Sequence, residues 1–471
     1  MLERGLLPEF SPQALEELEG IQGPAALLSG QTRDLRHLLW CSIDNDDSRD
    51  LDQLTVAEAM PDGAVKVLVA IADVDALVKK DSAIDDHARQ NTTSVYTEAR
   101  IFPMLPEKLS TDLTSLNFAE ERYAMIVEMI IHREGALQGS DVYAALVRNC
   151  AKLTYNGVAA WLENRGPMPK EMAEVNGLAE NLRMQDQVAQ RLKELRHDHG
   201  ALTLETTEMR LVFDADVLVE VDTEKKDRAQ DIIENFMIAA NGVTSRYLAS
   251  KRLPSLRRVV RTPKRWDRIR EIAADKKFSL PEEPDSKALE QFLTKAKAAD
   301  PLRFPDLSLS VIKLMGPGEY AVKLPEGSAI GHFGLAVRDY AHSTAPNRRY
   351  PDVITQRLLK AAIDGRSLPY EGAELEELAK HCTQKEDAAK KVERQVRKSA
   401  AAMLLESRIG EQFDAIVTGA AAKGTWVRLL HPPIEGRLSS GFEGADVGHR
   451  LRVQLMRTDV DRGYIDFKRV R

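Results

Sequence analysis

The sequence predicts an α+β protein of several domains, in which a region of buried sheet and long helices precedes a small β-barrel of the OB type. Three observations lead to this prediction. The 471 residues suffice for two to four domains. Apolar runs at residues 65–74 and 123–131 indicate buried strands. After residue 410, short strand patterns alternate with Gly and Pro turns, which is typical of a barrel.

Residues 1–40 are expected to form a small helical N-terminal domain. Ser11 followed by Pro12 has the pattern of an N-cap and a first helical residue, so a helix is predicted over 12–18. The segment carries 3 basic and 6 acidic residues. A helical cap or a small helix-turn-helix fits this pattern, and the absence of a basic face favours a structural role over nucleic-acid recognition.

Residues 41–370 are predicted to form the main domain, with a β-sheet core wrapped by helices. Helical patterns appear at 182–195, 229–248 and 350–362. A long charged helix at 372–406 is predicted to connect this domain to the barrel, which gives a connector at 371–407. The barrel is predicted at 408–471, with strands at 413–417, 425–430, 451–456 and 463–467.

The cysteine content and the apolar runs of the sequence indicate the compartment in which the protein is expected. The cysteines, Cys41, Cys150 and Cys382, form no Cys-x-x-Cys pair, which argues against a disulfide framework or a thiolate zinc site and indicates a reducing compartment. The N-terminus lacks the pattern of a signal peptide, and no apolar run approaches the roughly 20 residues of a membrane span. We therefore expect a cytoplasmic protein without membrane contact.

The strongest chemical signal is the run SIDNDDSRDLDQL at residues 42–54, which holds five aspartates within nine residues. An EF-hand calcium loop starting at Asp44 would need Gly and Glu where this chain has Arg49 and Thr55, so that interpretation fails. A solvated acidic turn remains an alternative. Because the run leads into a predicted sheet, its carboxylates could instead point at hard divalent ions that promote phosphodiester hydrolysis.

Further motifs follow in a fixed order: VAIADV at 69–74, TSVY at 93–96, IFPMLP at 101–106, LSTDLTSLN at 109–117, HGAL at 199–202, IENFMIAAN at 233–241, IGHFGLA at 330–336 and STAPNRRYPD at 343–352. With the acidic run, this series resembles the RNB family, the catalytic domain of RNase II and RNase R. The resemblance implies a metal-dependent, processive 3′→5′ exoribonuclease that releases nucleoside 5′-monophosphates.

The resemblance also implies a metal site. Asp44, Asp50 and Asp52 match the family's metal-site aspartates, with Mg²⁺ as the expected ion and Mn²⁺ as a substitute in a two-metal hydrolysis. The family has a fourth acid after Asp52, where this chain has Gln53. An amide oxygen can still bind Mg²⁺ but brings no charge, so we expect weaker or altered metal dependence.

Arg348 matches the family's catalytic arginine, whose guanidinium can bridge phosphate oxygens and stabilise charge in the transition state. Arg349 and Tyr350 follow it and are expected to contact RNA. The family usually has Ser-Pro-Ile-Arg here, and this chain has Ala-Pro-Asn-Arg at 345–348. Taken without the resemblance, the arginine pair would more often be a surface feature beside a helix start.

The same comparison suggests how the 3′ end is held. Tyr96 matches the residue that stacks on the terminal base, with a buried core tyrosine as the alternative. The opposing aromatic residue is replaced by Leu204, which would hold the base less tightly. Glu234 lies near a position that contacts the terminal ribose, although it could equally face solvent.

Two more regions are expected to bind RNA. Residues 246–265 contain eight basic residues and no acid, and this excess, with Arg257, Arg258 and Arg261 in it, suggests a phosphate track despite the net charge of −7. The C-terminal barrel resembles the S1 domain that follows RNB domains. Its GTWVR motif at 424–428 contains Trp426, which is as often a core residue as a stacking platform.

Relatives typically carry two cold-shock domains before the RNB domain, for which 40 residues leave no room. We therefore expect a smaller anchor for single-stranded RNA, arrest at stable duplexes and a shorter overhang there. The C-terminus without a Lys-rich extension favours an RNase II-like over an RNase R-like enzyme, expected to act as a monomer without an obligate protein partner. The alternatives are a non-catalytic RNA-binding protein with a degenerate metal site, suggested by Gln53 and Leu204, and a DNA nuclease.

Overall fold

The computed structural model describes residues 1–25, 32–97, 99–205, 208–214, 217–224, 226–326 and 331–470, with only the backbone for 208–214 and 217–224. The strands are β1 (Arg33–Asp34), β2 (Cys41–Asp44), β3 (Gln53–Ala59), β4 (Val65–Ala72), β5 (Val95–Tyr96), β6 (Ile101–Phe102), β7 (Glu121–Ile131), β8 (Leu137–Arg148), β9 (Ala151–Thr154), β10 (Glu208–Asp214), β11 (Val217–Glu224), β12 (Ser255–Val259), β13 (Glu319–Lys323), β14 (Gln412–Ala421), β15 (Gly424–Leu429), β16 (Glu435–Ser440), β17 (Arg450–Asp459) and β18 (Tyr464–Val470). The α-helices are α1 (Pro12–Gly20), α2 (Ala83–Asn91), α3 (Tyr155–Leu162), α4 (Lys170–Ala173), α5 (Leu178–Asp198), α6 (Arg228–Ser250), α7 (Trp266–Asp275), α8 (Ser286–Ala299), α9 (Phe304–Met315), α10 (Tyr350–Asp364) and α11 (Gly372–Leu405).

The N-terminal helix forms as predicted, but it does not belong to a separate domain. The Ser11 hydroxyl accepts a hydrogen bond from the backbone N–H of Ala14, and Pro12 begins α1. Ala14 is fully buried in the main core, and Leu6 packs with Val95 and residues of α11. The described residues of this segment, 1–25 and 32–40, contain one α-helix and show no helix-turn-helix.

A mixed seven-stranded sheet forms the centre of the main domain, in the order β1-β8-β7-β4-β3-β2-β9. The two predicted apolar runs are the adjacent strands β4 and β7, which pair antiparallel. Both faces of the sheet are covered, because Val67 and Val69 belong to the main core while Leu68 and Ala70 belong to a second core on the other face. The prediction of a buried sheet wrapped by helices is confirmed.

The predicted long helices form with small extensions at their ends. In α6, the Asp227 side chain accepts a hydrogen bond from the Gln230 N–H while the Gln230 side chain accepts one from Asp227, which gives a complete capping box. The apolar stripe of α6 is buried in the main core. Helix α10 directly follows the loop that carries Arg348, and α11 extends from the main domain to the barrel.

Residues 412–470 form the predicted barrel, a closed sheet in the order β14-β15-β16-β18-β17. The strand β16 was not among the predicted segments. Only two residues of its sequence EGRLSS, Gly436 and Leu438, are buried in the barrel, and the other side chains are polar. Gly436 lies against Phe467, and a Cβ atom there would come within 2.5 Å of that ring. The close approach explains why glycine occupies this position.

Helices α7 to α9 form a small unit with its own core, which was not predicted from the sequence. Trp266, Phe292 and Phe304 are buried in it. Val447 of the barrel is part of the same core, so the barrel packs directly on this unit. In the described ranges, no helix is long and apolar enough to cross a membrane.

Candidate active site

The site begins where two parallel strands end at the same edge of the central sheet. Strand β2 pairs in parallel with β9, and Asp44 lies opposite Thr154. Tyr155, the next residue, begins α3, with the Thr154 hydroxyl as its N-cap. Because parallel strands end together, this register places Tyr155 beside the acidic run. Tyr155 was not among the candidate residues, since a single tyrosine at a helix start gives no signal in a sequence.

The acidic loop between β2 and β3 is held on both sides. Lys152 of β9 donates a hydrogen bond from Nζ to the carbonyl of Ser48, at 2.7 Å. The Ser115 hydroxyl accepts from the Leu51 N–H at 2.9 Å and donates to the carbonyl of Arg49 at 3.2 Å. The loop that carries the aspartates is therefore anchored to the motif at 109–117 as well as to the sheet.

Asp52 and Arg348 form an ion pair in the middle of the site. The Nε atom of Arg348 donates to one carboxylate oxygen of Asp52 at 2.9 Å, and the backbone N–H of Asn347 donates to the other at 2.9 Å. Asp52 is 1% exposed, whereas the Arg348 side chain is 45% exposed. Because the ion pair uses Nε, the two terminal nitrogens of Arg348 can reach phosphate oxygens from the open side.

The arginine loop is also tied to the segment that carries Tyr96. The carbonyl of Arg348 accepts from the Ser94 N–H at 3.0 Å, and the Tyr350 N–H donates to the carbonyl of Thr92 at 2.8 Å. Tyr96 is 40% exposed, and its hydroxyl donates to Asp50 at 3.3 Å. The structure thus brings Asp50, Asp52, Tyr96 and Arg348 together, although they come from three separate motifs.

The electrostatics of the site favour a cationic or hydrogen-bonded partner. Burial raises the pKa of Asp52 to about 7, although Arg348 acts in the opposite direction. Burial also raises the pKa of Asp50, and the negative charge of Asp44 adds to the effect. Burial and then Asp44 raise the pKa of the Tyr155 hydroxyl. For Arg348, burial lowers the pKa, but the charge and hydrogen bond of Asp52 together with Tyr96 and Asp50 outweigh burial, and the net shift of the pKa is upward.

The donor atoms suit a hard divalent ion, but they do not form a preformed cage. Among the residues that the structure describes, no three His, Cys, Asp or Glu side chains surround one metal position. Mg²⁺ is usually bound by one or two carboxylates, with waters and substrate phosphates completing the shell. Burial first, and a neighbouring carboxylate second, raise the pKa values of Asp50 and Asp52 by disfavouring the charged form, and a bound cation would favour that form again. The carboxylates of Asp44, Asp50 and Asp52 therefore suit an ion that is held by one or two of them and by a phosphate.

Gln53 is 5% exposed and begins β3, where it pairs with Ile71 of β4. Alternate residues of a strand share a face, so Gln53 lies on the same face as Thr55, which donates a hydrogen bond to Gln185 of α5. The RNB family has an acid at this position. Compared with that acid, the neutral amide of Gln53 leaves one negative charge fewer next to Asp52.

The structure gives other surroundings to two residues expected near the 3′ end. Leu204 packs against the core of α7 to α9 and is half-buried there. Glu234 forms an ion pair with Lys226, whose Nζ also contacts Asp231. Glu234 does not simply face solvent, because a cation already contacts its carboxylate. Roles of these two residues in RNA binding stay predictions.

The prediction of a phosphate track at Arg257 and Arg258 is wrong. Both lie in β12, where they are 4% and 9% exposed. Arg257 pairs with Asp339 at 3.0 Å, and Arg258 makes two hydrogen bonds to Glu386 of α11. Arg261 remains exposed, yet it pairs with Glu319 at 2.5 Å. The acids that neutralise this basic segment come from distant parts of the chain.

Tyr350 is also a structural residue rather than an RNA contact. It is 1% exposed, and its hydroxyl donates to Asp85 at 3.2 Å. Arg349 donates to the fully buried Asp352 at 2.8 Å. This bond stabilises the first turn of α10, so the guanidinium of Arg349 already has a structural partner. The chain therefore exposes Arg348, while Asn347 and Tyr350 near it are buried and Arg349 is half-buried.

The surroundings of two further residues, Asn347 beside Arg348 and Trp426 in the barrel, were not visible in the sequence. Asn347, where the family has an apolar residue, is 1% exposed and contacts the hydroxyl of Thr114 through its side-chain amide at 2.7 Å. Trp426 in β15 is half-buried and lies over Gly419 and Gly424. This position leaves part of the indole available, so Trp426 stays a candidate stacking residue.

Comparisons with known proteins agree with this architecture. A model of the RNB domain matches residues 32–365, and a model of the RNase II-type exonuclease C-terminal S1 domain matches residues 411–470. The RNB match covers more than half of the chain, which therefore belongs to the RNB family.

A ribonuclease R of Aquifex aeolicus is 32% identical over 414 residues, and the aligned region is 86% of this chain and 57% of that protein. This chain thus spans less than two thirds of its relative. The structure of Mycoplasma genitalium RNase R in complex with ribose-methylated single-stranded RNA superimposes with a TM-score of 0.87 at 22% identity, covering 100% of this chain and 77% of that one. Yeast Ssd1, a pseudonuclease, has a TM-score of 0.70 at 16% identity, covering 88% and 51%. These likenesses show that nucleases and a pseudonuclease share the fold.

Proposed function

We propose that this protein is a Mg²⁺-dependent, processive 3′→5′ exoribonuclease that hydrolyses single-stranded RNA to nucleoside 5′-monophosphates. The observation that carries the proposal is the position of Arg348, whose guanidinium pairs with buried Asp52 and is open on its other side. Membership of the RNB family and the likeness to ribonuclease R support it. The subtype stays open, because the S1 model is of the RNase II type and the relative is a ribonuclease R.

In this proposal each group has a definite task. Asp44, Asp50 and Asp52 would hold Mg²⁺, or Mn²⁺ in its place, and the bound ions would neutralise the scissile phosphate and favour water as a nucleophile. The terminal nitrogens of Arg348 bind non-bridging phosphate oxygens and stabilise the charge that develops on them. Tyr96 stacks on the terminal base, and its bond to Asp50 keeps the base and the acidic loop in register.

The free cysteines fit a reducing compartment, and we propose that the enzyme acts as a monomer in the cytoplasm.

The direct test is digestion of a 5′-labelled RNA with a single-stranded 3′ tail, in Mg²⁺ and in EDTA. We expect a ladder that shortens from the 3′ end, requires Mg²⁺ and disappears in Asp52→Asn. A DNA strand of the same sequence should stay intact, which separates this function from a DNA nuclease. RNA that is bound but uncut by the wild-type protein would instead indicate an RNA-binding protein with the fold of a nuclease.

A further inference from the structure

Asn347 connects the arginine loop, residues 345–349, to two other parts of the site at once. Its backbone N–H donates to Asp52 at 2.9 Å. Its side-chain Oδ1 lies 2.7 Å from the hydroxyl of Thr114. Asn347 and Thr114 are 1% and 4% exposed, so water does not compete for this second bond. Because Arg348 is the next residue, a bond that fixes Asn347 also limits where the Arg348 guanidinium can lie.

The hydroxyl of Thr114 is free to donate the proton of this bond. A hydroxyl has one proton, and two acceptors lie within reach of it, Oδ1 of Asn347 at 2.7 Å and the carbonyl of Leu109 at 2.8 Å. The Leu109 carbonyl also accepts the backbone N–H of Thr114 at 3.0 Å, so it is satisfied without the hydroxyl. The proton can therefore go to Asn347 while the segment that carries Thr114 keeps its backbone bond.

The residue after Thr114 holds the acidic loop in a similar way. Ser115 is fully buried, its hydroxyl accepts from the Leu51 N–H at 2.9 Å, and it lies 3.2 Å from the carbonyl of Arg49. Two neighbouring side chains thus bind the two halves of the site, since Thr114 holds the arginine loop and Ser115 holds the loop with the aspartates. The distance between the guanidinium and the carboxylates therefore depends on this segment as well as on their direct ion pair.

The amide of Asn347 is poorly suited to a purely stabilising role. Its Nδ2 atom is buried and has no hydrogen-bond partner among the residues that the structure describes. Burial of an N–H group without an acceptor costs free energy, which offsets what the bond to Thr114 contributes. An apolar side chain of similar size would fill the position without this cost. What the amide adds is orientation, because its bond to Thr114 holds the side chain and the adjoining backbone in one direction.

We propose that Asn347 and Thr114 are positioning residues, which hold the arginine loop so that the guanidinium of Arg348 meets the scissile phosphate in the productive geometry. The inference rests on the proposed function, because it takes phosphodiester hydrolysis as the reaction and Arg348 as the group that contacts phosphate. Neither residue touches RNA in this proposal, and both act through Arg348. Their loss therefore affects the cleavage rate and leaves RNA affinity nearly unchanged.

The test compares single-turnover cleavage of RNA in Mg²⁺ by Thr114→Val, Asn347→Leu and the double variant. Each substitution removes the bond with little change in volume, and each should slow cleavage at saturating protein by about tenfold. The RNA Kd, measured in EDTA, should stay within about twofold of the wild-type value. The double variant should be at most about twofold slower than either single variant, because all three lack the same bond. Thr114→Ser keeps the hydroxyl and should cleave near the wild-type rate.

Two further measurements separate positioning from a structural role. Thr418→Val is the matched control, since it removes another buried hydroxyl, which donates to Glu435 at 3.0 Å in the barrel. This control should cleave at the wild-type rate. Asn347→Leu is also placed in an Arg348→Ala protein, where it should slow cleavage by less than about twofold because no guanidinium is left to position.

Thermal unfolding provides the last comparison. Asn347→Leu should unfold at the wild-type temperature or above it, because the variant no longer buries an unpaired N–H group. Losses that multiply in the double variant, an equally slow Thr418→Val, a further large loss without Arg348, or a lower unfolding temperature of Asn347→Leu would each overturn the positioning role and leave the proposed function intact. Wild-type protein that binds RNA without cleaving it would overturn both.

Discussion

At the scale of single residues, the proposed role of Arg348 in binding phosphate depends on the shape of its side chain as well as on its charge. Lysine keeps the charge, but it cannot donate from Nε to Asp52 and present two further nitrogens to a phosphate. We expect Arg348→Lys to lower the single-turnover cleavage rate by about 10²- to 10³-fold. Arg366→Lys, at an exposed arginine paired with Asp364, is the control and should cleave at the wild-type rate. Cleavage near the wild-type rate in Arg348→Lys would contradict the assigned role.

Because Asp52 is buried, we expect the free energy of unfolding of the metal-free protein to depend on pH. The pKa of Asp52 in the fold is about 7, above the ordinary value for aspartate, because the carboxyl is buried. At a pH between the pKa in the unfolded chain and the pKa in the fold, Asp52 holds a proton in the folded protein that the unfolded chain has lost. The free energy of unfolding therefore decreases as pH rises, by about 4 kcal/mol in total. Thermal unfolding in EDTA at pH 5 and pH 8 should show a smaller decrease for Asp52→Asn than for the wild type. Equal decreases would show that Asp52 is ionised throughout.

The resemblance to the RNB family singled out Asp44, Asp50, Asp52 and Arg348 because each lies in one of the matching motifs, and the structure places Asp52 in contact with Arg348. The sequence could not show that Arg257 is buried in an ion pair, since its partner Asp339 lies 82 residues away in the chain. Local charge counts assume solvent around each side chain, and only the tertiary fold decides which charges are neutralised.

At the scale of secondary-structure elements, β16 depends on the absence of a side chain at Gly436. A Cβ atom there would lie 2.5 Å from Phe467 and 2.6 Å from the carbonyl of Ile465. Gly436→Ala should therefore destabilise the barrel by about 1 to 3 kcal/mol, as overpacked cores do. Denaturant unfolding would measure this loss, with Gly20→Ala, where a Cβ meets no atom within 4 Å, as the control. Equal stability of the two variants would show that β16 adjusts easily.

Asp306 of α9 joins the helical unit to the barrel. Its carboxylate accepts from Arg428 at 3.1 Å and from Arg450 at 2.5 Å, and the Arg428 side chain is only 11% exposed. Asp306→Asn leaves this guanidinium without its counter-charge, so we expect a loss of about 2 kcal/mol in the free energy of unfolding. Asp300→Asn removes an exposed pair with Arg303 and should change stability far less. Similar values for both would mean that apolar packing alone holds the barrel.

The elements themselves were largely predictable, because α6, α10 and the central strands have strong apolar periods. The unit of α7 to α9 was missed since its short helices bury their apolar residues mainly against one another and against Val447 of the barrel. Strand β16 was missed because its polar sequence has no strand period, and its place is set by β15 and β18.

At the scale of the whole molecule, the net charge of −7 is compatible with RNA binding because the acids and bases are unevenly distributed. Distant acids neutralise much of the basic segment at 246–265, whereas the guanidinium of Arg348 is exposed on the open side of the site. The site thus combines a buried carboxylate with an exposed guanidinium, so the local charge at the site, and not the net charge of the chain, acts on an approaching polyanion.

The central claim is that the site removes nucleotides one at a time from a 3′ end. The most direct measurement is single-turnover digestion of one RNA in Mg²⁺, labelled in parallel at its 3′ and its 5′ end. The account predicts that the 3′ label is released at once as a nucleoside 5′-monophosphate, while the 5′ label stays on progressively shorter chains. Internal fragments, release of the 5′ label first, or RNA that remains intact although bound would contradict it.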